Sequence, residues 1–224
     1  MRSLKNVVLD GDLRDSVLAE LDWDPSFEDS EIHVAVKDGA VSLRGRVTSY
    51  SQRHAAVRAA ARVRGVKAVA DDIEVVLSDA IQRKDSEIAA ELAHERQWNT
   101  AIPDSVKVEV RNGQVTLRGS VAWSYQRDEA ARAVRHLEGV RAVSNLIEVE
   151  PGVVEADAVD IEERIHLAIA RMADVDASSI SVTKSDGVVR LEGSVGSLAE
   201  RRIAQRVAES APGVAKVENN VVIN

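Results

Sequence analysis

The sequence contains no cysteine, so it can form neither a disulfide framework nor a thiolate metal site. No apolar run approaches the roughly 18 residues that a membrane-spanning helix needs. Near the start of the chain, the three apolar residues 7–9 are too few for the core of a signal peptide. These absences predict a cytoplasmic protein that could lie peripheral to a membrane, or a periplasmic protein if a signal peptide has been removed.

An excess of basic residues is also lacking, since 29 Lys and Arg face 37 Asp and Glu and the net charge is −8. Because proteins that bind duplexes usually carry a basic excess, we do not expect nucleic acid as a partner. The chain has no nucleophile elbow, no Walker loop and no Gly-x-Gly-x-x-Gly motif. The five histidines form no pair at metal-binding helical spacing. We therefore predict no catalytic site, no bound metal and no cofactor.

Glycine is sparse but regularly placed, because nine of the twelve glycines recur at intervals of 74 residues. The three sets are Gly39, Gly113 and Gly187; Gly45, Gly119 and Gly193; and Gly65, Gly139 and Gly213. A fixed period of this kind indicates repeated structural units. We predict three modules, numbered 1 to 3, that span residues 10–77, 78–150 and 155–224.

Each module contains a stretch in which apolar and polar residues alternate on both sides of an Asp-Gly or Asn-Gly pair. The stretches are 32–47, 106–121 and 180–195. Asp, Asn and Gly tolerate the positive φ of a two-residue type I′ turn, so each stretch predicts a β-hairpin. The predicted turns are Asp38-Gly39, Asn112-Gly113 and Asp186-Gly187. The glycines near the end of each second strand suggest a bulge or the close approach of a helix.

Helical patterns flank each hairpin. The first helix has an apolar stripe, and Asp12, Asp85 and Asp157 are its candidate caps or first-turn acids. The second helix is rich in alanine, with Ser51, Ser124 and Ser197 as candidate caps and a glycine at its end. A third strand follows, and a right-handed crossover would place it parallel to the second strand. The predicted fold class is α+β, with three tandem α-β-β-α-β modules, each a small three-stranded sheet with two helices on one face.

A basic segment free of acids runs from residue 44 to residue 67 of module 1. It comprises Arg44, Arg46, Arg53, Arg58, Arg62, Arg64 and Lys67. An acidic stretch precedes it, with Asp22, Asp24, Glu28, Asp29 and Glu31. One interpretation is a surface for anionic headgroups, where each base contributes up to ~1 kcal/mol. The other is a solvated helix face that partly pairs with its own acidic loop.

Aromatic residues are rare, with three Trp, two Tyr and one Phe, so their positions are informative. Trp23 and Trp98 end equivalent helices, where we favour a role in plugging the core over contact with a bilayer. Trp123 and Tyr125 flank the start of the second helix of module 2. For that pair, insertion at the headgroup level of a bilayer and packing in the core are equally compatible with the sequence.

One short motif occurs in a single module. Gly193 and Gly196 match the Gly-x-x-Gly loop with which KH domains clamp a nucleic-acid backbone. The other modules have Thr48 and Ala122 in place of the second glycine. Because the motif ends a strand and is not part of the repeat, we do not predict a nucleic-acid loop.

The shared pattern V-x-V-x-x-G-x-V-x-L-x-G-x-V, followed by a helix and G-V-x-x-V, resembles the BON domain, named for bacterial osmotically inducible and nodulation proteins. In module 1 the matching residues are Val34, Val36, Gly39, Val41, Leu43, Gly45, Val47, Gly65, Val66 and Val69. Modules 2 and 3 match over the same span. The departures are Asp71, where they have Asn145 and Asn219, and Lys184, where the others have valine.

The resemblance implies a non-enzymatic module that binds phospholipid surfaces or envelope proteins, often under osmotic or envelope stress. Our first functional hypothesis is docking on an anionic phospholipid surface or a membrane-associated protein. The seven bases of the basic segment, with Trp123 and Tyr125, are the candidate contacts. The alternative is a soluble scaffold that binds a client protein or assembles into a homo-oligomer through exposed strand edges or helix faces.

Overall fold

The computed structural model describes residues 4–27, 31–78, 82–98, 103–150, 158–172, 175–185, 187–212, 214 and 216–224. Module 1 contains α1 (Leu4–Asp22), β1 (Glu31–Lys37), β2 (Ala40–Val47), α2 (Tyr50–Arg62) and β3 (Ala68–Val75). Module 2 contains α3 (Asp85–Trp98), β4 (Lys107–Arg111), β5 (Gln114–Val121), α4 (Ser124–Arg135) and β6 (Ala142–Val149). Module 3 contains α5 (Ala158–Ala170), β7 (Ile180–Ser185), β8 (Val188–Val195), α6 (Leu198–Glu209) and β9 (Lys216–Ile223). The predicted α+β fold and its element order are confirmed.

Each module has its own three-stranded sheet, with the orders β1-β2-β3, β4-β5-β6 and β7-β8-β9. In module 2, β4 and β5 are antiparallel and β5 and β6 are parallel. The same holds for β7, β8 and β9. The parallel pair follows from the helix between its strands. The crossover helix returns the chain to the starting end of the sheet, so the next strand runs in the same direction as the one before.

The hairpin turns have the backbone that their sequences require. Asp38 and Gly39 have φ of +52° and +81°, and Asn112 and Gly113 have φ of +52° and +74°. Positive φ at both central residues confirms the type I′ prediction in modules 1 and 2. Asp186 of the third turn lies outside the described residues.

A carboxylate from the first helix holds the hairpin turn in modules 1 and 2. Asp85 accepts hydrogen bonds from the N–H groups of Asn112 and Gly113, at 2.7 and 2.9 Å. Asp10 accepts from Asp38 and Gly39 in the same way, at 2.9 and 3.3 Å. The prediction for Asp85 as a first-turn acid is confirmed. The prediction for Asp12 is wrong, because α1 begins at Leu4 and Asp12 lies within the helix; Asp157 lies outside the described residues.

Both helices of a module pack on one face of its sheet. In module 2, the core joins Ile88 of α3, Leu117 of β5, and Ala130 and Val134 of α4. The core of module 3 is built in the same way from α5, β8 and α6. The small alanines let the second helix lie close to the strands, while alternate strand residues point outward and are exposed.

The glycine near the end of each second strand lies against another strand. A Cβ on Gly193 would lie 1.9 Å from the carbonyl oxygen of Ser179, and a Cβ on Gly119 would lie 2.2 Å from that of Ser105. Their φ values of +125° and +128° also favour glycine. The expected approach of a helix is therefore wrong, because the close neighbour is the backbone that leads into the facing strand.

The described chain forms two compact units. One consists of Met1–Gly45, Ala55–Ile73 and Val153–Asn224, and the other of Arg46–His54 and Glu74–Gly152. Module 3 therefore packs with most of module 1, and module 2 packs with the segment that joins β2 to α2. Among the described residues, no helix is long and apolar enough to cross a membrane.

Candidate functional site

The basic segment of module 1 is divided between two faces of the sheet. Along β2, Val41 and Leu43 point into the core, so the exposed Arg44 and Arg46 lie on the opposite, open face. The remaining five bases lie on α2, whose alanines face the core, or on the turn that follows it. The segment is therefore not one continuous surface, and its seven bases as contacts for anionic lipid stay a prediction.

Arg62 and Arg44 form ion pairs with acids of the same module. Arg62 bonds the carboxylate of Glu20 through Nε at 3.0 Å and Nη2 at 2.7 Å. Arg44 bonds Asp72 at 3.3 Å. Exposed pairs of this kind contribute only about 0–1 kcal/mol to stability, but they neutralise the cation. The sequence analysis expected these bases to pair with the acidic stretch between Asp22 and Glu31. The observed partners, Glu20 and Asp72, lie outside that stretch. Two acids of the stretch, Glu28 and Asp29, lie outside the described residues.

Three exposed arginines of the basic segment have no acidic partner among the described residues. Within the described part of the chain, Arg46, Arg58 and Arg64 form no ion pair. Arg58 lies one helical turn before Arg62, on the same side of α2. The stem of Lys67 lies against Gly39 of the hairpin, where its N–H donates to the Gly39 carbonyl at 2.9 Å. Arg58 and Arg64 are thus cations on the helix side of module 1.

Trp23 lies on the surface, with 87% of its area exposed. The predicted core role of Trp23 is wrong. Leu21 and Phe27 are the side chains that are buried at that end of α1. The stripe Leu13, Val17 and Leu21 could have shown this, since a residue two positions beyond Leu21 points away from the stripe. The bond between Glu20 and Arg62 joins the last turn of α1 to the end of α2, and Trp23 directly follows α1. The side chain of Trp98 lies outside the described residues.

The loop before the second helix, called here the pre-helix loop (48–51, 122–125 and 196–199), differs among the modules. In modules 1 and 3, the hydroxyls of Ser49 and Ser197 accept from the N–H groups three residues on, at 3.2 Å. Ser197 is a confirmed cap, whereas Ser51 and Ser124 lie inside their helices, so those two predictions are wrong. Trp123 occupies the cap position of α4, and its indole cannot accept a hydrogen bond. Losing such a cap costs about 1 kcal/mol.

The pre-helix loop of module 3 is buried against module 1. Ser197 and Leu198 are only 2% and 8% exposed. The N–H of Gly65 donates to the carbonyl oxygen of Gly196 at 2.8 Å. A Cβ on Gly196 would lie 3.2 Å from Cζ of Arg64 and 3.1 Å from Oε1 of Glu200. The second glycine of the Gly-x-x-Gly match thus permits contact between two modules.

The other two loops have different surroundings. Tyr50 in the loop of module 1 packs against the hydrophobic core of module 2. In the loop of module 2, Trp123 is partly exposed and Tyr125 is 53% exposed. The same loop therefore contacts a further module in modules 1 and 3, whereas in module 2 it presents aromatic rings at the surface.

A groove in module 3 lies at the junction of α5 with the end of α6. Its volume is about 280 Å³, and its lining is mainly apolar with two arginines: Arg164, Ile165, Leu167, Ala168, Arg171, Ser210, Ala211 and Pro212. Leu167 is a large apolar side chain left exposed there. In module 2, an ion pair covers the equivalent place, because Arg83 bonds Glu138 at 2.6 Å and also bonds Glu91. The hydrogen bond to Glu138 and the charges of Glu91 and Glu87 raise the pKa of Arg83.

The Asn and Asp difference on the third strand has a structural role. Asn145 donates from Nδ2 to the Arg127 carbonyl at 2.9 Å and accepts from the N–H of Ile147 at 3.2 Å. Asn219 makes the same two bonds in module 3. Asp71 keeps the acceptor half, at 3.2 Å from the N–H of Ile73, but a carboxylate cannot donate to a carbonyl.

No cluster of three or more His, Asp or Glu that could hold a metal ion occurs among the described residues. The candidate features are separate surfaces, with exposed arginines in module 1, aromatic rings in module 2 and an apolar groove in module 3, and such groups are suited to binding.

Comparison with known proteins gives matches along the whole repeat. The family model of the BON domain matches residues 9–76, 84–151 and 157–224. Osmotically-inducible protein Y of Escherichia coli (strain K12) is 32% identical over 124 residues, which cover 52% of this chain and 62% of that protein. Among solved structures, CdsD, a structural protein of the Type III secretion system of Chlamydia trachomatis, and its C-terminal domain are 15% identical. They cover 95% of this chain and 92% and 98% of their own, with TM-scores of 0.26 and 0.25. Because three BON matches together span most of its length, this chain belongs to the BON domain family.

Proposed function

We propose that this chain is a non-enzymatic binding protein that docks on anionic phospholipid surfaces through the helix side of module 1. The observation that carries the proposal is the exposed indole of Trp23, which directly follows α1, whose last turn is bonded to the end of α2 through Glu20 and Arg62. Arg58 and Arg64 supply cations there, and the Glu20–Arg62 bond holds the two helices together. Arg44 and Arg46 lie on the open sheet face and belong outside this contact surface.

The chemistry of this surface matches that of a membrane interface. Indole rings favour the headgroup level of a bilayer, where an apolar body meets a polar edge. Each cation near an anionic leaflet contributes about 1 kcal/mol. Because the whole chain carries a net charge of −8, the attraction of these few cations acts against an overall repulsion, and we expect weak, reversible binding that salt reduces.

The biological setting of the proposal comes from the relative whose name records osmotic induction. We propose that the protein acts in the response to osmotic or envelope stress, as a peripheral protein at a membrane surface. A membrane-associated protein with an acidic surface could use the same cations, and the test below separates it from lipid.

Co-sedimentation with phosphatidylcholine vesicles, with and without phosphatidylglycerol, tests the proposal. We expect binding only to the anionic vesicles. Arg58→Glu should weaken it strongly, and Trp23→Ala should weaken it. Arg118→Glu, an exposed change in module 2 that gives the same net charge, should bind as wild type does. Wild type that ignores anionic vesicles, or equal binding by Arg58→Glu and Arg118→Glu, would overturn the lipid proposal.

A further inference from the structure

The pre-helix loop contacts another module in two of its three copies. In module 3, the loop is seated against Arg64 and Gly65, the turn that ends α2 of module 1. In module 1, Tyr50 of the loop packs against the core of module 2. The repeat therefore uses one loop as a recurring element of contact between modules, as expected where repeated units stack on their neighbours.

One loop and one receiving site are left over from this pattern. The leftover loop is that of module 2, with the partly exposed ring of Trp123 and the exposed ring of Tyr125. The leftover site is the groove of module 3. Pro212 in its lining is the repeat equivalent of Arg64, so the groove lies where module 1 receives its loop.

The loop and the groove are chemically complementary. The groove offers apolar contacts from Ile165, Leu167 and Pro212, with the cation of Arg171 at its edge. A buried tryptophan removes ~150–250 Å² from water and attracts a guanidinium to its ring face.

The sequence of the loop supports a binding role. Trp123 occupies a helix cap where its two counterparts are serines that accept a hydrogen bond. A residue that breaks a local rule of stability without a local gain is expected at sites of function.

We propose that copies of this chain assemble head to tail, with the pre-helix loop of module 2 of one copy in the module 3 groove of the next. Trp123 is the anchor, and the guanidinium of Arg171 at the rim lies against its ring face. Because loop and groove belong to different parts of the chain, the contact is heterologous and can repeat from copy to copy. This assigns Trp123 and Tyr125 to a second copy instead of a lipid surface, independently of the proposal for module 1.

Sedimentation velocity over a range of protein concentrations tests the assembly. We expect the mean mass to rise above the 24.3 kDa of one chain as concentration increases. Trp123→Ser and Arg171→Glu should each weaken association about tenfold or more, as for residues at the centre of an interface. Arg118→Glu, an exposed change on the open sheet of module 2, should leave association unchanged.

A mixture of the two variants gives the decisive result. Trp123→Ser keeps the groove and Arg171→Glu keeps the loop, so each should be monomeric alone and the mixture should form a complex of two chains. The proposal is overturned if the mixture stays monomeric or if the variants associate as wild type does. It is also overturned if the wild type has the mass of one chain at every concentration. A loop that docks in the groove of its own chain would give this result.

Discussion

The pre-helix loops of modules 3 and 2 occupy the same place in the same fold and have opposite surroundings. In module 3, Gly196 and Ser197 are buried, and the loop lies against Gly65 of module 1. In module 2, the equivalent residues are Ala122, which is exposed, and Trp123, which is partly exposed. The hairpins and cores of the two modules nevertheless match. The repeat thus preserves the residues that build each module and varies the loop that meets neighbours.

The two loops also use side-chain size in different ways, since one has a glycine where the chain packs closely and the other has large aromatic rings. A glycine permits close approach of backbone to backbone, and here a carbonyl meets the Gly65 N–H at 2.8 Å. An exposed aromatic ring offers apolar surface that a separate binding partner can bury. We infer that the loop of module 3 works within the chain and that of module 2 works outside it.

The largest expected effect tests what the two modules share. Gly193→Ala would place a methyl group 1.9 Å from the Ser179 carbonyl at a positive φ, and Gly119→Ala repeats the clash in module 2. We expect each to lower the free energy of unfolding of its module by about 3 kcal/mol or more. Urea denaturation measures this. If only one of the two variants is destabilised, the modules differ in more than their loops.

The next effect tests the loop itself. Gly196→Val would push a side chain into Arg64 and Glu200, and we expect a loss of about 2 kcal/mol in the free energy of unfolding. The matched change Ala122→Val falls on an exposed position of module 2 and should stay within about 0.5 kcal/mol of wild type. Equal losses in the two variants would contradict the contrast between a packed and an exposed loop.

Helix capping gives a pair of changes with opposite signs. Trp123→Ser supplies the missing cap acceptor, so module 2 should gain about 1 kcal/mol. Ser197→Ala removes the acceptor of the Glu200 N–H and should cost module 3 about 1 kcal/mol or more. Thermal unfolding monitored for each module by residue-specific NMR signals would show both. A loss of stability in Trp123→Ser would mean that the indole supports α4 in some other way.

The smallest effect depends on pH. Hydrogen bonds from Lys216 at 3.1 Å and Arg190 at 3.2 Å lower the pKa of Glu218, whereas module 2 has Ser144 at that position. A lowered folded pKa stabilises the module above the unfolded value of about 4.3, and the stabilisation is lost as pH falls toward the folded value. Glu218→Gln should therefore be slightly less stable than wild type at neutral pH and equal to it in acid. A difference that persists in acid would assign the effect to packing.

Much of the fold could be predicted because its signals are local. The Asp38-Gly39 and Asn112-Gly113 pairs encode their turns directly, and the 74-residue period fixes the element order. The sequence predictions were wrong where they had to give the first residue of a helix or the face on which a side chain lies. Ser51 and Ser124 are one or two residues past the true caps, and the alternation that buries Val41 and Leu43 also sends Arg44 to the other face.

The candidate sites were less accessible to the sequence because they depend on contacts between modules. Nothing near Gly196 in the chain indicates Gly65, which lies 131 residues earlier and is bonded to it. Trp23 was placed in the core by its helix-end position, although the stripe through Leu21 left no room for it there.

Hydrogen exchange at the Gly65 amide tests the central claim, that the pre-helix loop of module 3 is a docking element within the chain. The Gly196 carbonyl is the acceptor of this amide at 2.8 Å, so exchange should be slow in wild type. In Gly196→Val, exchange at Gly65 should accelerate while the amides of β8 and β9 keep their protection. Rapid exchange at Gly65 in wild type, in a chain whose sheets are protected, would contradict the account.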